Sequence, residues 1–323
     1  MGIRCHFLAF ATAMGLAACG GGGGDATPVS QSANAGVQPG TVTLAITDGP
    51  MEEAHALVLH VTYIEFGHAD NGVTRLELQS GPVSLDMMQL QNGMTHALLE
   101  RVTVPAGEYH WLHLGIDPDS SYMELQTGAH HQLQLGDPNG LRVDEHFEVF
   151  ASQHAEFVLD FDLRLGVQHH QMGGMMGDQY ELYSSALHLM HMEDVGGITG
   201  TVDAALADVN HAGCDPAFGG NWAYLFPGDA TQPDDVTESD MDGMAGPIAT
   251  DRVELDVGTG EFRYHFAFVP AGSYRVAFTC AGEWDESGDD DYPTDPDGRF
   301  DFHAFQGPVE VVAGQVSEFH IGP

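Results

Sequence analysis

The chain has no lysine. Its nine basic residues are all arginines, set against 48 acidic ones, for a formal net charge of −39. A polyanion of this kind repels phosphate backbones and anionic headgroups, which excludes nucleic acid as a partner. It also repels itself, and salt relieves that repulsion by screening. The composition therefore fits a salty exterior, a halophilic setting in which acidic surfaces stay hydrated. Spanning hydrophobic segments are missing too, since the apolar run that opens the chain, Phe7 to Leu16, is too short to cross a bilayer. Cysteine is scarce: of four, two lie in the first 20 residues, leaving Cys214 and Cys280. The signatures of catalysis are absent as well. There is no Gly-x-Ser-x-Gly elbow, His-Glu-x-x-His, phosphate-cradling Gly-x-x-x-x-Gly-Lys or dinucleotide fingerprint. Carboxylates are so numerous that no two stand out as a glycosidase couple. The expectation is a protein that is not an enzyme.

What the chain does contain is a repeat. Val104-Pro105-Ala106-Gly107-Glu108-Tyr109 returns as Val269-Pro270-Ala271-Gly272-Ser273-Tyr274. Proline presets the first turn dihedral, and the glycine is expected in the left-handed position that closes the turn and launches the next strand. A second echo keeps the same order. Glu148-Val149-Phe150-Ala151-Ser152-Gln153, followed by Glu156-Phe157, matches Glu310-Val311-Val312-Ala313-Gly314-Gln315, followed by Glu318-Phe319. Two similar β-domains in tandem account for both echoes.

Arg4, the run from Phe7 and then Leu16-Ala17-Ala18-Cys19 have the basic start, greasy middle and small-residue end of a secretory signal. The segment resembles a bacterial lipoprotein signal. That resemblance implies cleavage before Cys19, lipidation of its sulfur, and, with Gly20 in place of aspartate, delivery to the outer membrane. Residues 20–40, rich in Gly, Ser, Gln and Asn, read as a flexible tether.

From Thr41 to Asp194 short apolar or alternating runs are separated by turn signals, the pattern of an all-β sandwich. Ala56 to Phe66 reads as a strand buried on both faces, and Asp86 to Asn92 as the one helical turn, closed by Gly93. Tyr109, Trp111 and His113 are expected on one strand face, and Tyr180 to Met192 as one strand. Four motifs occur in order: Ile46-Thr47-Asp48-Gly49-Pro50, Leu85 to Gly93, Val104 to Tyr109, and Leu159-Asp160-Phe161-Asp162-Leu163-Arg164. Together they resemble the bacterial lipoprotein domain of unknown function 4382. The resemblance implies a prealbumin-like sandwich on an exported protein and brings no activity with it. Where that family has a Lys-Pro pair after the last hairpin, this chain has Ser184-Ser185.

That last hairpin concentrates metal-binding side chains. His169, His170, Met172, Met175 and Met176 lie in and beside a Gly-rich loop, and His188 and His191 on the returning strand. Imidazole with thioether suits copper, and imidazole alone suits zinc. Against a joint site, residues three apart on an unbroken strand point to opposite faces, and the spacing is not that of a structural zinc site.

After Gly196-Gly197 a second series of strands begins. Its opening Ile-x-Gly-x-Val, the Phe-x-Tyr-x-Phe strand before the second corner, and the closing Val-x-x-Gly-Gln-Val resemble the carboxypeptidase-regulatory-like modules. These are again prealbumin-like and serve as spacers or binding modules. Cys214 and Cys280, exported together, are expected to form a disulfide, with two buried thiols as the alternative. Of two acidic loops, the second holds Asp289, Asp291, Asp295, Asp297 and Asp301, a candidate set for weak calcium binding. It lacks the ligand order of an EF-hand.

The reading is an all-β chain with two tandem prealbumin-like or Ig-like β-sandwich domains behind a lipoprotein signal peptide and tether. Its parts are residues 1–18 (signal), 19–40 (lipidated Cys19 and linker), 41–194 and 195–323. Two functions stand open. One is a membrane-anchored, non-catalytic module that binds a protein or glycan, or plays an adhesive or structural part. The other is a metal-binding protein taking copper or zinc at the hairpin, or calcium at the acidic loops.

Overall fold

Strand β1 (Pro39–Gly49) lies inside the first sheet, and its alternation shows how the sandwich forms. Val42, Leu44 and Ile46 are completely buried, while Thr43 and Ala45 between them face the other way. The structure is a computed structural model that describes residues 38–51, 54–172, 177–207, 220–236, 246–285 and 300–323. The expected signal and nearly all of the expected tether lie outside those residues.

Strands β2 (Ala54–His68), β3 (Gly72–Glu77), β4 (Val83–Asp86), β5 (His96–Pro105) and β6 (Gly107–Ile116) follow. Next come β7 (Tyr122–Leu125), β8 (His130–Leu135), β9 (Leu141–Val143), β10 (Phe147–Val149) and β11 (His154–Asp162). A single helical turn, α1 (Leu163–Gly166), leads to β12 (Val167–Met172), β13 (Gly177–Leu182) and β14 (Leu187–His191). One sheet runs β14-β11-β1-β5. The other runs β10-β6-β2-β7-β8-β13-β12, with β3 and β4 on β2 and β9 on β6. Leu57, Leu59, Ile64, Phe66, Leu114 and Leu159 fill the space between them.

The second half repeats the plan. Its strands are β15 (Val195–Val202), β16 (Trp222–Pro227), β17 (Ala249–Arg252), β18 (Glu254–Asp256) and β19 (Glu261–Pro270). After these come β20 (Gly272–Thr279), β21 (Ala304–Val311) and β22 (Val316–Glu318). They form sheets β18-β19-β15-β22 and β17-β16-β20-β21. The fold is an all-β sandwich, and Val37–Pro323 make one compact unit.

The repeated sequence is a repeated structure. In the first copy Phe147, Glu148 and Val149 pair with Tyr109, Glu108 and Gly107. In the second Val309, Glu310 and Val311 pair with Tyr274, Ser273 and Gly272, the same register. β1 runs parallel to β11 from Thr41 and His154, and β15 parallel to β22 from Gly197 and Val316. Ser152 and Gly314, at matching positions, both take left-handed φ, +61° and +71°. Their amides donate to Pro39 and Val195, again matching positions.

Each corner is tied by its tyrosine. The Tyr109 hydroxyl donates to the Pro105 carbonyl at 2.7 Å, and Tyr274 to Pro270 at 2.8 Å. The glycines differ from expectation. Gly107 sits at φ +139°, outside the left-handed helical well, and Gly272 is not in positive-φ space at all. What Gly107 supplies is room, because a Cβ there would stand 2.6 Å from the His68 ring. Phenylalanine at Tyr109 and at Tyr274 is expected to cost about 1 kcal/mol each. The costs should add, since the corners share no partner; unchanged denaturant midpoints would refute the ties.

Two other expectations are corrected. Tyr109, Trp111 and His113 do not share a face. β6 skips a residue against β2, since His68 pairs with Tyr109 and Gly67 with Trp111. The bulge at His110 turns Tyr109 into the core while Trp111 stays outside, where the Arg142 guanidinium lies 4.6 Å over its ring. Nor is Tyr180–Met192 one strand. The Ser184 amide and hydroxyl both donate to Asp137 at 2.6 Å. The short turn there moves the chain from β13 in the large sheet to β14 in the small one. The helical turn after Asp86 is present as a three-residue 3-10 turn, with the Asp86 carboxylate capping Met88.

Candidate functional site

The Leu159–Arg164 motif ends the first sandwich and reaches into the second. Phe161 points into the core, and Asp162 caps α1 by accepting from the Arg164 amide at 3.1 Å and the Leu165 amide at 3.3 Å. Its other oxygen accepts from the Thr250 amide at 3.0 Å, across the joint on β17. Arg164 then enters the second half. Its guanidinium donates to the Tyr224 hydroxyl at 2.8 Å, the Asp285 carbonyl at 3.1 Å and the Gly282 carbonyl. The group lies 4.3 Å from the Trp222 ring and 3.5 Å from the Asp285 carboxylate, with both charged side chains almost wholly buried. Asp285 is held in turn by Tyr224 at 2.6 Å and the Val236 amide at 2.9 Å.

β16 explains why this socket exists. It is buried on both faces: Ala223 and Leu225 pack inside the second sandwich, while Trp222, Tyr224 and Phe226 form a second apolar cluster that receives Leu165. The joint is thus packed and hydrogen-bonded, and a groove lies beside it.

That groove is a cleft of about 680 Å³ between the halves. Phe147, Phe150, Phe157 and Leu189 line it from the first half, and Leu225, Ile248 and Phe268 from the second. Glu145, Asp160, His188 and His191 supply polar groups. Phe268 is held there at φ +52°, opposite a register shift between Gly196 and Ile198. An aromatic residue in that conformation is strained, and a bulge of this kind re-aims a side chain. Phe150 is 53% exposed.

Behind the cleft lies a gap of about 30 Å³ whose lining includes Asp48, Asp160, Asp162 and Asp251. Neither oxygen of buried Asp48 has a hydrogen-bond partner. Burial, then the charges of Asp162 and Asp160, push its carboxyl well above the usual range, against a smaller opposing pull from the Leu163 amide. Burial and Asp162 raise Asp160 to about 7, against the pull of His188 opposite it. Asp251 rises to about 8 through burial, although its carboxylate accepts from the His265 amide. The joint therefore presses a carboxyl of the second half against carboxyls of the first. The Glu145 carboxylate, 3.8 Å from its Nδ1, does more than the nearby aspartates to raise His188.

The hairpin residues are not gathered into one place. His169 and His170 lie on β12 in the large sheet, and His188 and His191 on β14 in the other. His169 stacks on Tyr180 at 4.6 Å, with Asp178 3.6 Å from its Nε2, and His170 faces Glu181 at 3.6 Å. Met172 ends β12, and Met175 and Met176 lie outside the described residues. So do Cys19, Cys214, Asp289, Asp291, Asp295 and Asp297. Cys280 is buried at the end of β20, its Sγ 3.6 Å from His303 Nε2, and Asp301 is exposed. Among the described residues one trio of His, Cys, Asp or Glu side chains converges closely enough to share a metal ion: Glu108, His110 and His146. Sequence reading missed it because β10 and the β6 bulge are needed to bring the three together. No helix of the described residues is long and apolar enough to cross a membrane.

These features define a class: an all-β protein of two like sandwiches locked by a buried arginine. Residues 39–182 match the family model described as a domain of unknown function (DUF4382). No curated protein matches the chain. Solved structures similar to it include the TIE protein of Bacillus anthracis, at 10% identity over 87% of this chain and 34% of that one, with a TM-score of 0.20. The minor pilin of Streptococcus agalactiae is 11% identical over 87% of this chain and 94% of its own, with a TM-score of 0.21. For the major pilin subunit of Bacillus cereus the values are 11%, 88%, 99% and 0.18. The chain spans about a third of the TIE protein's length. Likeness at this level carries no argument about role; the sandwich assignment rests on the strands and sheets themselves.

Proposed function

We propose that the protein is an exported, lipid-anchored and non-catalytic binding module whose cleft between the sandwiches holds a protein or glycan ligand. The observation that carries this reading is the cleft itself, with Phe268 held in strained backbone over its wall. Phenylalanine faces beside imidazoles and carboxylates suit a sugar ring, or an aromatic side chain of a peptide, with its hydroxyls or amides bonded at the rim. The Leu-Ala-Ala-Cys19 signal supports an outer-membrane anchor, and the 19–40 tether supports a folded part standing off the lipid. On this reading residues 195–323 are a carboxypeptidase-regulatory-like module, and Cys214 pairs with Cys280.

Glycan arrays and pull-downs with the intact protein test the reading. The wild type is expected to retain a ligand that the double variant Phe150→Ala, Phe268→Ala loses, while the variant's melting temperature stays within a few degrees. Turnover of a substrate by the pure protein, or a ligand retained in full by the double variant, would overturn it.

A further inference from the structure

The geometry points to a divalent transition-metal site on the outer face of β6 and β10, built from Glu108, His110 and His146 with Glu148 beside them. Three facts place it. One ligand atom from each of Glu108, His110 and His146 lies within 4.8 Å of the other two. The rings of His110 and His146 stack at 4.5 Å between centroids, 24° apart. Strand register sets Glu148 directly opposite Glu108. All four residues are exposed, so small rotations can bring their donors onto one ion.

The arrangement is costly without a cation. Like charges directly opposite across a strand pair destabilise it. Here the pair joins β6 to β10, a three-residue strand at the sheet edge, in a chain of net charge −39. Among the described residues neither glutamate has an ion-pair partner, and the nearby Arg142 is engaged by Asp144 and Trp111. The β6 bulge gives a second argument. It leaves His110 as the extra residue, and the residue a bulge frees from the ladder is the one it re-aims.

The donor set selects the ion. Two imidazole nitrogens and a carboxylate oxygen suit Zn²⁺ or Cu²⁺, and calcium and magnesium prefer all-oxygen shells. Glu148 or water completes the coordination and leaves the ion open on its outer side. Because His146 and Glu148 also line the cleft, a bound ion would stand at its mouth. The site needs only the β6 and β10 edge and does not depend on what the cleft binds.

Calorimetric titration of the intact protein with Zn²⁺, repeated in excess Ca²⁺, tests the proposal. The expected result is a saturable step near one equivalent that calcium does not displace. His110→Ala with His146→Ala should weaken it by about 100-fold or more, since changes outside the ligand shell alone cost ~10–100-fold. Glu108→Gln should weaken it less, and His169→Ala with His170→Ala should leave it unchanged. With Cu²⁺, electron paramagnetic resonance should show two imidazole nitrogens that the His110/His146 variant lacks. No saturable step, a step that survives loss of both histidines, or one that disappears with His169 and His170 would overturn the site.

Discussion

Alanine at Arg164 is expected to cost about 3–5 kcal/mol and to uncouple the two sandwiches. The cost is that of breaking a buried ion pair from one side. Asp285 would keep its bonds to Tyr224 and Val236 but lose its counter-charge in a buried site. The Tyr224 hydroxyl and the Gly282 and Asp285 carbonyls would lose their donor. The loss should appear as a lower urea midpoint and as a second transition, because Arg164 and Leu165 are the side chains that plug the second half's aromatic socket. Leucine at both Arg164 and Asp285 should recover part of the stability, since an apolar pair strands no charge. A change below about 1 kcal/mol, the size of a surface pair, would mean the socket does not hold the halves together.

Raising the pH from 5 to 8.5 in 1 M salt should lower stability by roughly 7 kcal/mol through Asp160 and Asp251, and by more with Asp48, at about 1.4 kcal/mol for each pKa unit of displacement. The sign follows from the direction of the shifts. Asp160 and Asp251, raised to about 7 and about 8, and Asp48, raised well above its ordinary value, hold protons in the folded state that the unfolded chain has released. Their contribution is complete below the ordinary aspartate range near pH 4 and is lost as the pH climbs through 7 and 8. High salt matters to the design. It screens surface repulsion in this polyanion and leaves buried groups largely unscreened. Asparagine at Asp48 should raise the melting temperature at pH 8.5 and change little at pH 5, because it removes a carboxyl without a hydrogen-bond partner. A melting temperature flat or rising between pH 5 and 8.5 would show that these carboxyls are not under strain.

The corners were legible in the sequence because their chemistry is local. Proline, a small residue, glycine and a tyrosine that bonds back four residues all fall within one six-residue stretch, and both copies turn the chain from one sheet of a sandwich to the other. The second echo was legible for the same reason, and its strands pair in the same register. What could not be read depends on distant partners. Arg164 looks like any surface arginine until Tyr224, Gly282 and Asp285, from 60 to 121 residues further on, close around it. The bulge at His110 shifts side-chain parity without leaving a compositional mark. As a result the sequence pattern puts Tyr109 with Trp111 and hides the approach of His146 to Glu108 and His110. The hairpin histidines drew notice by density along the chain, yet the turn at Ser184 sends His188 and His191 to the other sheet. Asp160 and Asp162 were visible as a motif. Their crowding with Asp48 and Asp251 was not, because Asp251 belongs to the other half.

The account depends most on the two sandwiches behaving as one body with a buried cation as the fastener. Differential scanning calorimetry of the wild type reads this directly. A single transition is predicted, with calorimetric and van't Hoff enthalpies equal, splitting in two when Arg164 becomes alanine. Two separate transitions in the wild type would contradict it.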